Sequence, residues 1–228
     1  MKRIVLFAEG EGEQAALPKL VKRILTEQGV WERRDILLDE SPFHVGHVGN
    51  IVKDDCSKWR RWLAASAKRR DLGGVLLVLD GDAKSIHGKA FCAASVAARL
   101  ADEAKAAGAG STFSVAVVFA RQEYESWLIP AVVALAGSRL SDGRRIWPGA
   151  ELPAENLEEM RDAKGWIKKV LEGGYRPTRD QAALTELADL QAIRNRNLRS
   201  FRRLEAALAE LVSAIRQGVH VATPIRQR

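Results

Sequence analysis

The sequence predicts an α/β fold, a parallel sheet with helices on both faces, followed by a helical C-terminal part. Three observations predict it. Short apolar runs at Arg3 to Phe7, Gly74 to Leu79 and Phe113 to Phe119 have the length and continuity of strands buried on both faces. Stretches of helical pattern separate these runs, as parallel βαβ units require. Beyond about residue 138 only helical patterns remain, so the chain divides into an α/β core, 1–137, and a helical extension, 138–228, packed on that core.

Taken in order, Glu9-Gly10-Glu11-Gly12 breaks the first strand, and Glu13 to Gln28 reads as a helix closed by Gly29. Asp35 to Leu38 is a second strand, and Ser41 to Asn50, with its glycines and histidines, reads as a surface loop. A helix from about Asp54 to Arg70 ends at Gly73-Gly74, and the strand that follows is terminated by Asp80-Gly81-Asp82. Lys89 to Ala107 is an Ala-rich helix stopped by Gly108 and Gly110. The strand ending at Phe119 leads through Glu123 into another helix. After a turn-rich stretch with Pro148 and Pro153, helices are expected at Asn156 to Glu172, Arg179 to Ile193 and Ser200 to Gln217. Thr178 and Gln181 form a capping box at the start of the middle one.

The chain has 228 residues, 46% of them hydrophobic, enough to bury a real core. Its net charge of +7 favours an anionic partner, although Lys2, Arg3, Arg226 and Arg228 supply part of it as solvated ends. Cys56 and Cys92 stand far apart with no metal-ligand spacing, which argues against a disulfide scaffold or structural zinc. Met1 leads straight into a strand pattern and no apolar run could span a bilayer, so the expectation is a cytoplasmic protein without membrane contact. The chain has no P-loop, no serine nucleophile elbow and no GxGxxG motif.

Ligands of open α/β sheets bind beyond the carboxyl ends of the strands, and three such ends here carry acids. They are Glu9 with Glu13, Asp80 with Asp82, and Glu123 with Glu125. Asp80 and Asp82, two apart on an extended strand end, are expected to point to one side and share an ion. Each set alone is ordinary chemistry: a D-G-D turn, acids at a helix start, a solvated surface. Together they crowd negative charge at one sheet edge, which calls for a cation or a proton.

At these residues the chain resembles a known family. Glu9-Gly10-x-x-Glu13 followed by Asp80-x-Asp82 is similar to the Toprim motif pair of topoisomerases, primases and overcoming-lysogenization-defect nucleases. Four further runs, 120–127, 163–166, 177–181 and 199–201, resemble one bacterial branch, domain of unknown function 4276. The resemblance implies a Toprim-like fold and Mg²⁺- or Mn²⁺-dependent cleavage of nucleic acid phosphodiesters, in anti-phage defence with a partner ATPase. It implies Glu9 as general base or ligand, and Glu13, Asp80, Asp82 and Glu125 as metal ligands; Lys164, with Lys84 and Lys89 behind it, is the candidate for a lysine that neutralises developing charge, against the plainer reading of a surface cation. One departure is Gly12, where related nucleases carry Ser or Thr.

Arg194 to Arg203 holds five arginines and no acid. Arg196, Arg199 and Arg203 recur at helical spacing and are expected to track a phosphate backbone, against the plainer reading of a solvated face. Trp59, Trp62, Trp127 and Trp166 read as core, and His44 and His47 as loop residues rather than ligands. A non-catalytic module that binds nucleic acid or protein is the alternative to an enzyme.

Overall fold

A computed structural model describes residues 1–225, so Arg226 and Arg228 lie outside the described residues. Its centre is a parallel sheet of six strands: β1 (Lys2–Ala8), β2 (Ile36–Leu38), β3 (Phe43–His44), β4 (Leu72–Asp80), β7 (Ser114–Ala120) and β8 (Ala222–Thr223). The order is β2-β1-β4-β7-β8, with β3 pairing the end of β1 at Phe7 and Ala8. A small antiparallel hairpin, β5 (Ser85–Ile86) and β6 (Lys89–Ala90), stands apart after β4.

Burial of both faces follows from the strict alternation of side chains along each strand. Ile4, Leu6 and Ala8, with Leu76, Val78, Ala116 and Val118, join one apolar cluster. Val5, Phe7, Val75, Leu77, Val115 and Val117 join the other. The second face is covered by α2 (Val48–Ile51), α3 (Lys53–Ala67) and α4 (Ala93–Lys105). The first is covered by α1 (Glu11–Glu27), α5 (Glu125–Ala134), α6 (Ala163–Val170), α7 (Ala182–Leu187), α8 (Leu190–Arg194) and α9 (Arg199–Gln217).

The C-terminal helices are seated directly on the sheet. A Cβ on Gly73 would lie 3.1 Å from the Ile215 side chain, and one on Gly74 3.3 Å from Leu211. Bare backbone at these two positions lets α9 approach β4 closely. Leu17, Leu76 and Val118 of the first half thus share one cluster with Ile167, Leu184 and Leu208 of the second.

Several elements differ from the sequence reading. Val45 and Val48 are buried within the expected surface loop, because β3 pairs with β1 there. The Ala-rich helix begins at Ala93, since Lys89 and Ala90 close the small hairpin. The helix expected from Asn156 is confined to α6. Asn156 accepts from Glu158 N in a local turn, and Asp162 caps a fresh start by accepting from Gly165 N. The helix expected at Arg179 to Ile193 is a π-helical turn, Pro177–Gln181, then α7 and α8, broken at extended Ala188. No side chain caps its start, so the Thr178–Gln181 capping box does not form. Trp59 and Trp127 are fully buried, while Trp62 and Trp166 pack half-buried against the two clusters. Among the described residues no helix is long and apolar enough to cross a membrane.

Candidate metal centre

The sheet order reverses at β1, whose sequence neighbour β2 lies on one side and β4 on the other. A crevice opens beyond the carboxyl ends at such a point, and the acids are placed around it. Glu9 follows β1, Glu13 lies in the first turn of α1, Asp80 ends β4 and Glu125 begins α5. Gly81 lets the exits of β4 and β7 run side by side. A Cβ there would sit 2.7 Å from Ala120 O, and its own N–H donates to Gln122 O at 2.8 Å.

Glu13, Asp80 and Glu125 converge. All three are buried, and one carboxylate oxygen from each lies within 4.8 Å of the others. Asp80 is pinned by the Tyr124 N–H, which donates to Oδ1 at 2.8 Å, while Glu9 Oε2 accepts from Asp80 N at 3.1 Å. Lys164 Nζ stands 3.4 Å from Asp80 Oδ2, 3.6 Å from Glu123 Oε1 and 3.7 Å from Glu125 Oε2. Lys164 N also donates to Glu123 Oε2, at 3.1 Å, so Glu123 anchors the lysine's backbone. Asp82 stands outside the trio because the strand ends at Asp80, and Gly81 turns the chain before the two-residue alternation can bring it round. Its Oδ1 is buried without a hydrogen-bond partner.

Electrostatics mark the cluster as short of positive charge. Burial pushes the Glu125 carboxyl up to about 8, with Asp80 and Glu13 adding to the rise against the pull of Lys164. Asp80 is raised well above the carboxylate range, again chiefly by burial. Glu9 is pushed up to about 7 by burial and by the charges of Asp82 and Glu13, although the Asp80 N–H stabilises its ionised form. Burial opposes the charge on Lys164, but Glu125, Asp80 and Glu123 hold its ammonium above the ordinary lysine value. One ammonium faces three carboxylates, and Glu125 Oε2 lacks a hydrogen-bond donor. An all-oxygen set with a surplus of negative charge fits a hard divalent cation such as Mg²⁺ or Mn²⁺.

Two residues that sequence reasoning did not assign to the site complete it. The Tyr175 hydroxyl donates to Glu125 Oε1 at 2.8 Å, and Gln181 Nε2 donates to Glu13 Oε1 at 3.1 Å. The signal for Gln181 was its run, Pro177-Thr178-Arg179-Asp180-Gln181, read locally as a helix cap. Gly12 has its explanation in the same place. A Cβ there would collide with Gln181 Oε1 and lie 2.7 Å from Pro177 Cβ, so only glycine admits the π-helical turn against α1.

The three arginines do not form one stripe. Asn197 adopts a left-handed φ of 54° and breaks the helix, leaving Arg196 exposed in the turn between α8 and α9. Arg199 opens α9 exposed. Arg203, one turn on, is held by Glu210 through two bonds of 2.6 and 3.0 Å and by Thr223. His47 Nδ1 accepts from Gly49 N to cap α2, and His87, Lys84 and Lys89 are exposed beyond the cluster.

No curated protein and no solved structure matches the chain significantly. A family model, in contrast, matches residues 8–209, a span that holds Glu9, Glu13, Asp80, Asp82, Glu123, Glu125 and Lys164. The chain belongs to the family described as Domain of unknown function (DUF4276).

Proposed function

We propose that the protein is a Mg²⁺-dependent nuclease of Toprim type, cleaving nucleic acid phosphodiesters in anti-phage defence with a partner ATPase. The observation that carries this reading is the buried convergence of Glu13, Asp80 and Glu125 beneath Lys164 at the switch point of the sheet. Glu13, Asp80 and Glu125 would hold the ion, which supplies Lewis-acid stabilisation of a phosphoryl oxygen when bound. Tyr175 and Gln181 each occupy one carboxylate oxygen, of Glu125 and Glu13, and so orient the other. Glu9, half-buried and poised near neutrality, is suited to take a proton from an attacking water. Lys164, held charged by its acidic neighbours, faces the place where phosphoryl charge develops. The partner ATPase and the defence role rest on the motif resemblance and on the lack of a P-loop in this chain.

The test is incubation of purified protein with supercoiled plasmid, single-stranded DNA and RNA, with and without Mg²⁺ or Mn²⁺. Asp80→Asn, which can still accept from Tyr124 N, should abolish metal-dependent cleavage, and undiminished cleavage would refute the assignment. One observation favours a second reading, a non-catalytic binding module: Lys164 already pairs with three of the acids. Under that reading Mg²⁺ leaves the melting temperature unchanged.

A further inference from the structure

Beside the acid cluster, across the Gly81 turn, lies a groove of about 520 Å³, within the range of about 300–1,000 Å³ typical of small-ligand sites. It opens where β8 stops. That strand pairs β7 only at Val115 and Ala116, and Pro224, which has no N–H, follows it. The wall is apolar, made by Val117 and Phe119 of β7 and the alanines of the first turns of α4, Ala93, Ala94 and Ala97.

The rim carries two guanidiniums without partners. Arg121, immediately after β7, and Arg199, at the start of α9, both line the groove and are exposed. Neither side chain makes a hydrogen bond or ion pair among the described residues, whereas Arg194 and Arg203 are each held by a glutamate. Of the other charged lining residues, Glu158 is occupied in accepting from Ser200 N, and Arg203 is neutralised by Glu210. That leaves two unpaired guanidiniums, with the carboxylates of Glu158 and Glu159 on the same lining.

We infer that this groove is a nucleotide subsite for a single strand: Arg121 and Arg199 take the phosphate next to the scissile one, and its base lies against Phe119 and the α4 alanines. This rests on the phosphodiesterase reading above and deepens it. Gly81, which lines the groove, sits between Asp80 and Asp82, so a strand with one phosphate at the acids passes over Gly81 to lay the next nucleotide in the groove. Guanidiniums suit phosphate oxygens, and an apolar wall with an aromatic edge suits any base without reading its sequence.

The test is fluorescence anisotropy of a short labelled DNA single strand, and of its RNA counterpart, in EDTA over a salt series, so that binding is read without cleavage. Arg121→Glu and Arg199→Glu should each weaken binding about tenfold and flatten the dependence of log K on log salt by about 0.7. Arg70→Glu, the same charge change at the amino-terminal end of β4, serves as control and should do neither. Equal losses in all three variants, or no measurable binding by the wild type, would overturn the subsite. Far-ultraviolet circular dichroism of each variant checks that it is folded. Failure of the nuclease reading itself would show separately, as a wild-type melting temperature indifferent to Mg²⁺.

Discussion

Replacing Glu125 by Gln should make the metal-free protein more stable and, in the same stroke, deprive it of its response to Mg²⁺. The carboxyl, normally near 4.5, is pushed up to about 8 in the folded chain, chiefly by burial. The folded state therefore holds the proton more tightly than the unfolded one. Stability is full below about pH 4.5 and is lost as pH rises toward 8. At about 1.4 kcal/mol per pH unit, the interval from 4.5 to 7 costs the metal-free fold about 3 kcal/mol at pH 7. Glutamine removes that cost, and its Oε1 can still accept from Tyr175. Its amide N–H groups, however, face Lys164, so a net gain of about 1–3 kcal/mol is expected, or about 3–8 °C in a chain of this length. At pH 5 the gain should shrink below about 1 kcal/mol. Wild-type protein at a Mg²⁺ concentration a hundredfold above Kd should gain about 2.7 kcal/mol, and the variant almost none of it. Calorimetry at pH 5 and 7, with and without Mg²⁺, reads all four quantities. A variant that melts below wild type at pH 7, or that keeps the full Mg²⁺ shift, would refute the reasoning.

Further outcomes follow from the same geometry. Lys164→Met removes the cation that Asp80, Glu123 and Glu125 share, and should lower cleavage about 10²–10³-fold and displace the pH at which Mg²⁺ binds upward. Plasmid-nicking rates and titrations across pH check it. Gly12→Ser drives a side chain into Gln181 and Pro177, so it should cost about 1–3 kcal/mol and weaken Mg²⁺ binding. A Gly12→Ser protein that melts with the wild type would contradict this. Asp180→Asn bears on the anchor of the π-helical turn. The buried carboxylate accepts from Arg176 N, Arg144 and Arg179, and the two guanidiniums hold it below its ordinary value despite burial. Its contribution is present above the ordinary carboxyl value and lost as pH falls through the lowered one, so the variant should be weaker by about 3 kcal/mol at pH 7, and melting curves should show the deficit narrowing as pH falls below the ordinary carboxyl value.

What could be read from the sequence was whatever leaves a periodic or terminal signature. β1, β4 and β7 are long apolar runs, and an acid at the end of each was enough to bring Glu9, Glu13, Asp80 and Glu125 to one sheet edge. β3 and β8, at two residues each, are too short to show alternation; neighbouring strands, not propensity, make them extended. Leu157 and Met160 mimic a helical stripe, but Asn156 and Asp162 bond their own backbone and cut the helix short. Gln181 obeyed the local rule for a capping box and was claimed by Glu13, more than 160 residues away in the chain. Arg203 kept its helical spacing and lost its freedom to Glu210, which no pattern in the arginine run records.

The division at residue 137 separates sequence patterns, yet it cuts through the site. Lys164, Tyr175 and Gln181 belong to the helical second half, and each contacts an acid carried by the first. Without them Glu13, Asp80 and Glu125 would face one another buried, with no cation and with fewer donors to fix their oxygens, an arrangement that strongly disfavours ionisation. Gly12 shows how closely the halves are matched. This chain places no side chain before Glu13 and fills the space with Pro177 and the amide of Gln181. The donor that fixes Glu13 thus arrives from the opposite half of the chain, and the bare backbone at Gly12 is what admits it.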